Sequence, residues 1–251
     1  MRGACLAGID VIVLAGGLGT RIRAVLGDRP KVLAPVGDRP LLEHLLDGFE
    51  AYGADRVVLC LGHQAEPVID FIRRQPPRRV AIVPVIEPQP LGTAGALAFA
   101  RPHLRPGPVM VLNGDTLVDA DLCAFVAFHR AAAGSDGTGV AASLLCLEMA
   151  DTGRYGRVEV SDGRIQRFVE KDAAAHGPGI INAGVYLLGS ALLDTLVAGQ
   201  PASIERDVFQ RLPPGQLGAA VGRFRFVDLG TPASLDEAQS FFTSSPEEHC
   251  P

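Results

Sequence analysis

No apolar run in this chain reaches the ~18 residues that a membrane-crossing helix needs. The two longest candidates, VIVLA and VMVLN, are cut short by Gly, Asn or Asp. The opening MRGACLAGID has only a faint likeness to a signal peptide and is broken by Asp10, and the apolar run after it is needed as a first core strand, so no targeting segment is read. Cysteine is sparse: Cys5, Cys60, Cys123, Cys146 and Cys250 are odd in number and show no C-x-x-C spacing. That pattern argues against a disulfide framework or a zinc site and points to a reducing cytoplasm. Six histidines are scattered singly and read as surface or packing residues. An excess of positive charge is missing too: 23 Lys and Arg against 28 Asp and Glu leave a formal charge of −5, which disfavours a nucleic-acid surface. The one dense basic cluster, Arg73, Arg74, Arg78 and Arg79, is split by Pro76 and Pro77 and reads as a solvated loop. With no nucleic-acid or membrane partner indicated, what remains is the composition of a compact enzyme: 251 residues, 47% hydrophobic and 20% charged.

Strand-like runs at 11–15, 56–61, 80–86 and 108–113 alternate with helical patterns near 40–52, 64–74, 93–101 and 121–133. This alternation predicts right-handed βαβ units and an α/β fold, a Rossmann-like, mostly parallel sheet flanked by helices. Beyond residue 138 the spacing tightens into TGVAASLLCLEM, YGRVEV, RIQRFVEK and INAGVYLLG, with Asp162-Gly163 as a two-residue hairpin turn, so the second half is expected to be mixed sheet. A last strand, RFRFVD, leads into GTPASLDEAQSFF, with Thr231 as helix N-cap and Pro232 as first helical residue. The chain 1–251 is read as one domain: a nucleotide-binding half at about 11–135, a second half at about 136–240, and a disordered tail, TSSPEEHCP, over 243–251. There is no internal repeat and no low-complexity linker.

The most informative segment is VIVLAGGLGTRIRAVLGDRPK (11–31), an apolar strand entering a Gly-Gly-x-Gly-Thr-Arg loop. Gly16, Gly17 and Gly19 carry no Cβ and let backbone N–H groups approach a polyanion. A P-loop would need G-x-x-x-x-G-K-[ST], and a dinucleotide fingerprint would place a third glycine where Ile22 stands, so both are excluded. The loop instead delivers Arg21, and ten residues later Lys31, towards a triphosphate, which points to nucleotidyl transfer. Asp115 follows the strand VMVLN within N-G-D-T, and Asp228 ends RFRFV in the same manner. Carboxylates at two strand ends can meet across one cleft and hold Mg²⁺, which favours one or two carboxylates plus phosphate and water oxygens.

LAGGLGTRIR followed by DRPKVLAPVGDRPLLEHLL resembles the signature of the sugar-1-phosphate nucleotidyltransferases, and with it their nucleotide-diphospho-sugar transferase fold. PLGTAGA, VLNGDT, YGRVEV, INAGVYLL and FVDLGTP follow in family order, so the resemblance covers residues 11 to 240 and lies nearest the short heptose-1-phosphate guanylyltransferases. Val32 stands where most members have proline, as in the N-acetylglucosamine-1-phosphate uridylyltransferases, and Asp172 replaces the usual proline after Glu-Lys. No hexapeptide repeat follows residue 240, so the left-handed β-helix of some relatives is not expected.

The resemblance implies roles residue by residue. Leu14, Ala15, Gly16, Gly17, Gly19 and Thr20 line the nucleotide, with Asn113 and Gly114. Glu87, Pro90, Gly92 and Thr93 in IEPQPLGTAGAL supply the base pocket, where Ala94, Gly95 and Ala96 admit a flat ring. Tyr155, Gly156, Glu170, Lys171 and Asn182 serve the sugar 1-phosphate. Arg21, Lys31 and Asp115 are the catalytic set, and Asp115 with Asp228 the Mg²⁺ ligands. The implied reaction joins an NTP and a sugar 1-phosphate into an NDP-sugar and pyrophosphate, with GTP and a heptose 1-phosphate first. Mannose-1-phosphate guanylyl-, thymidylyl- and uridylyltransferases stay open, as does a homo-oligomer. A regulatory subunit without catalysis should have lost Arg21, Lys31 or a metal aspartate, and none is lost. A molybdopterin-type nucleotidyltransferase would share the glycine loop but leave Glu170-Lys171 and Asn182 unexplained.

Overall fold

In the computed structural model, residues 3–17, 19–134, 139–169 and 177–242 are described. Thirteen strands run in chain order: β1 Asp10–Leu14, β2 Pro35–Val36, β3 Arg39–Pro40, β4 Arg56–Leu61, β5 Ala81–Ile86, β6 Val109–Asn113, β7 Thr116–Val118, β8 Ala142–Met149, β9 Arg157–Ser161, β10 Arg164–Val169, β11 Gly179–Leu188, β12 Leu217–Gly222 and β13 Phe226–Asp228. Seven α-helices accompany them: α1 Arg23–Leu26, α2 Leu41–Ala51, α3 Ala65–Arg74, α4 Gly92–Ala100, α5 Leu122–Ala133, α6 Ser190–Asp194 and α7 Pro232–Ser240. Nine strands form one sheet in the order β5-β4-β1-β6-β11-β8-β12-β10-β9. Its first four strands are parallel and joined by helices, so both faces are covered and the strands are apolar throughout, as in VVLCL of β4. Successive residues of β1 serve opposite faces: Val11 and Val13 enter one core, Ile12 the other.

β11 explains where a cleft opens. Its second half, Val185–Leu188, pairs antiparallel with β6, whereas Ile180 and Ile181 pair with β9. Its pairing with β8 breaks register between Asn182 and Tyr186, where Gly184 takes φ +71°. The strand therefore changes partner at Asn182–Gly184, and β11, β8, β12, β10 and β9 close into a ring. The sheet is mixed, as expected, and both halves of the chain share it.

Local chemistry sets the element ends. Asp121 caps α5 by accepting from Cys123 N and Ala124 N at 2.8 and 3.1 Å. Thr231 caps α7 in a box with Ser234, and Pro232 follows at the first turn. Asp162 and Gly163 both have positive φ, 51° and 69°, the combination a two-residue hairpin requires. The strand β12, LGAAVG, escaped the sequence reading because its small residues carry no β-branched or aromatic signal apart from Val221.

Three expectations need correction. Cys5 and Cys123 form a disulfide with Cα atoms 5.3 Å apart, although 118 residues separate them in sequence. Parity and local spacing could not show a pair that the fold creates, and a reducing compartment no longer follows from the cysteines. Cys60 and Cys146 are free and buried, and burial pushes both thiols up to about 12. Arg78 is not solvated: it is nearly buried and pairs with Asp47 at 2.6 Å and Glu50 at 3.6 Å. The histidines agree with their reading as packing or surface residues: His44 packs against Phe242 and His129 against Ser143, and His63 is exposed beside the glycine loop. The tail 243–251 lies outside the described residues, and among those described no helix is long and apolar enough to cross a membrane.

Candidate active site

The ends of β1, β4, β5 and β6 meet at one edge of the sheet, where the strand order reverses around β1, the position at which open α/β sheets bind ligands. The glycine loop leaves β1 here. Ala15 N donates to Cys60 O at 2.9 Å and Gly114 N to Leu14 O at 2.9 Å, so the loop base is stitched to both neighbouring strands. Gly114 also needs its lack of a side chain, since a Cβ would stand 2.8 Å from Leu14 O.

A cleft beside the loop is lined by Gly17, Gly19, Thr20, Arg23, Arg29, Lys31, His63 and Gln64, among others. Three cations thus face one polar hollow, suited to a polyphosphate. Lys31 is among them; Arg21, although exposed, is not. Arg23, Arg29, His63 and Gln64 were not singled out from sequence. No motif or spacing in the sequence marks them; in the structure Gln64 takes the left-handed conformation, φ 64°, uncommon for a residue with a side chain.

Lys31 sits on a 3₁₀ turn, Lys31–Leu33, and its Nζ donates to Asp115 Oδ2 at 2.6 Å. β13 pairs with β7 so that Asp228 stands opposite Thr116, and Leu229 N donates to Asp115 O at 2.8 Å. The two aspartates, 113 residues apart in sequence, are therefore on adjacent backbone. Both offer hard oxygen donors, the kind Mg²⁺ takes, and this pairing fits it. Tyr155 is half-buried near Asp228, packs edge-on against Phe226, and its hydroxyl is held up by burial first, with Arg154 acting in the opposite sense. Gly156 has room around it, with Val169 O at 3.7 Å from an added Cβ.

Glu87 follows β5. Its Oε1 fills the gap between Gly16 and Gly62, where an added Cβ would approach to 2.6 and 2.7 Å, and its Oε2 accepts from Leu91 N at 3.3 Å. Burial pushes its carboxyl above the ordinary range, against the opposing pull of the Leu91 N–H. Pro90 is exposed beside it. The small residues of α4 have a different use from the one expected. A Cβ on Gly92 or Gly95 would lie 2.6 Å from Ala202 O or Gln200 O, so these glycines admit a passing backbone segment and not a flat ring. Ala94 N donates to Ala202 O, and Ala94 and Ala96 are buried. Thr93 Oγ1 accepts from Ile204 N at 2.7 Å, so one of its lone pairs is used by the same segment.

On the other side, Asn182 Oδ1 accepts from Gly184 N at 2.9 Å and its Nδ2 donates to Tyr186 Oη at 3.0 Å. Gly184 packs on Asn113 and Thr116, bringing Asn182 to the strand end that carries Asp115. The structure thus brings Lys31, Asp115, Asn113, Asn182 and Asp228 to neighbouring strand ends and Glu87 beside Gly16, while Arg21 does not line the hollow, Gly92 and Thr93 face the 200–204 segment, and Glu170 and Lys171 lie outside the described residues.

The family model for Nucleotidyl transferase matches residues 10–245. A mannose-1-phosphate guanylyltransferase of Arabidopsis thaliana is 35% identical over 231 residues, 89% of this chain but 62% of that protein, so the chain spans about three fifths of that relative. A D-glycero-alpha-D-manno-heptose 1-phosphate guanylyltransferase of Aneurinibacillus thermoaerophilus is 29% identical over 92% of this chain and 97% of its own length. The crystal structure of HddC from Yersinia pseudotuberculosis complexed with GMP-PN superposes with a TM-score of 0.81 at 30% identity, covering 93% of this chain and 99% of that one. With the family model matching across nearly its whole length, the chain belongs to the nucleotidyl transferase family.

Proposed function

We propose that the protein transfers a guanylyl group from GTP to a heptose 1-phosphate, giving a GDP-heptose and pyrophosphate. The observation that carries the choice of base is Glu87, a carboxylate at the strand-end cleft lodged between Gly16 and Gly62. Guanine presents two adjacent donors, N1–H and N2–H₂, which one carboxylate accepts as a fork. Uracil and thymine present a single N–H between two carbonyl oxygens, which a carboxylate repels. The heptose reading is supported by the Aneurinibacillus relative, matched over 97% of its length. Mannose 1-phosphate is the second reading, supported by the higher identity to the Arabidopsis protein.

In this reading the sugar phosphate oxygen attacks the α-phosphorus in line and pyrophosphate leaves, with no covalent enzyme intermediate, so the protein contributes position and charge. Lys31, Arg23 and Arg29 neutralise the polyphosphate in the hollow, and Arg21 balances charge on the leaving group from its rim. Asn182 and Tyr155 orient the sugar, and Lys171 holds its phosphate. Asp115 and Asp228 would hold Mg²⁺, which would supply positive charge to offset that of the nucleotide phosphates. Lys31 releases Asp115 as it turns to the phosphates. The test is pyrophosphate release from GTP, ATP, CTP, UTP and dTTP, each against heptose, mannose and glucose 1-phosphates. GTP with heptose 1-phosphate should give the highest kcat/KM; a preference for UTP or dTTP would refute the reading of Glu87.

A further inference from the structure

Between α6 and β12 the chain forms a segment, 200–208, that contacts both α4 and Tyr186 of β11. Its first half docks on the start of α4: Ala202 N donates to Leu91 O at 2.9 Å, Ala94 N to Ala202 O at 2.9 Å, and Ile204 N to Thr93 Oγ1. Its second half is a π-helical turn, Ile204–Val208, that carries Glu205 inward. Both oxygens of that carboxylate are used: Oε1 accepts from Tyr186 Oη at 2.8 Å and Oε2 from Ser203 Oγ at 2.9 Å.

Tyr186 is wholly buried, and a phenol has one proton to give. Because that proton goes to Glu205, the hydroxyl can only accept from its other neighbours, Asn182 Nδ2 at 3.0 Å and the Asn113 amide. The direction of the chain is therefore set from Glu205 outward. Asn182 must face Tyr186 with its nitrogen and Gly184 N–H with its oxygen, leaving one N–H and one lone pair for a ligand. Without an acceptor at 205 the phenol proton would be free to point at Asn182 or Asn113, weakening the hold on the Asn182 amide that the Gly184 N–H also orients.

We propose that Glu205 is a positioning residue for the sugar side of the cleft, acting through the Tyr186 hydroxyl to fix the orientation of the Asn182 amide. This rests on the reading that Asn182 contacts the sugar 1-phosphate. The test is a cycle of Glu205→Ala, Asn182→Ala and their double variant, with Glu205→Gln as the conservative control. Glu205→Ala should raise KM for the sugar 1-phosphate about 10-fold, the scale of one lost hydrogen bond to a charged group. The Kd for GTP, measured by calorimetry without sugar, should stay at the wild-type value. Glu205→Gln retains an acceptor oxygen and should recover most of the KM. On an Asn182→Ala background, Glu205→Ala should add nothing. If Glu205→Ala does not fold, Tyr186→Phe, which keeps the ring in the core and deletes only the hydroxyl, must give the same KM effect and the same non-additivity. Additive effects in the cycle, or an equal loss of GTP affinity, overturn the proposal while leaving Asn182 at the sugar. An Asn182→Ala variant with unchanged sugar KM overturns the sugar-side reading and the relay with it.

Discussion

Lys31 Nζ and Asp115 Oδ2 lie 2.6 Å apart, so a cation suited to phosphate and a carboxylate suited to a metal ion hold each other in the cleft. The pair is partly exposed, 17% and 31% for the two side chains, and partly exposed pairs of this kind contribute about 1 kcal/mol or less to stability. Lys31→Ala and Asp115→Asn should therefore melt near the wild-type temperature. Both should lose kcat by roughly 10²- to 10³-fold, Lys31→Ala because it removes positive charge aimed at the transferring phosphate and Asp115→Asn because it weakens a ligand proposed for Mg²⁺. Loss of the fold in either variant, read by circular dichroism, would assign the pair to structure instead.

Asp228 stands opposite Thr116 in β13–β7, beside Asp115. Excess EDTA should abolish pyrophosphate release and Mg²⁺ should restore it. Asp228→Asn should require a higher Mg²⁺ concentration for half-maximal rate, because an amide oxygen is a weaker ligand for a hard cation. Undiminished turnover in chelator would exclude the aspartate pair as a metal site.

Much of this site was legible in sequence because glycine spacing and strand-end carboxylates are local signals. The loop at Gly16–Thr20, Asp115 and Asp228 needed only residue type and the end of an apolar run. Arg29 and His63 were not legible, since an exposed cation acquires meaning only from what the fold sets opposite it. Gly95 was read with Ala94 and Ala96 as making room for a base, whereas the backbone at Gln200 stands against it. The Cys5–Cys123 bond likewise depends on α5 returning to the N-terminal segment. Glu205 was invisible because its proposed role passes through Tyr186, a residue of the Asn182 strand that nothing in the sequence singled out.

Gly95 faces Gln200 O at 2.6 Å from where a Cβ would stand. Gly95→Ala should force the 200–202 segment away from α4 and destabilise the fold by about 1–3 kcal/mol. That is a fall of about 2–4 °C in melting temperature per kcal/mol for a chain of this size. An unchanged melting temperature would mean that the segment gives way without cost.

Burial holds the Glu87 carboxyl above the ordinary glutamate value of 4.5. A raised carboxyl pKa favours the fold below the unfolded value, and that contribution is lost as pH rises through the folded one. Guanine binding runs in the opposite sense, because only the ionised carboxylate accepts both base donors. GTP affinity should therefore weaken as pH falls through a value above 4.5, and Glu87→Gln should lack that limb after the phosphate titration common to both proteins is subtracted. Identical acid limbs in the two proteins would remove Glu87 from the base.

The most direct measurement is the ratio of kcat/KM for GTP to that for UTP, with heptose 1-phosphate as acceptor, in the wild type and in Glu87→Gln. The account predicts a wild-type preference for GTP that falls by about 10- to 100-fold in the variant, the scale of 1–3 kcal/mol for a bidentate base contact. A GTP preference that survives Glu87→Gln intact would contradict it.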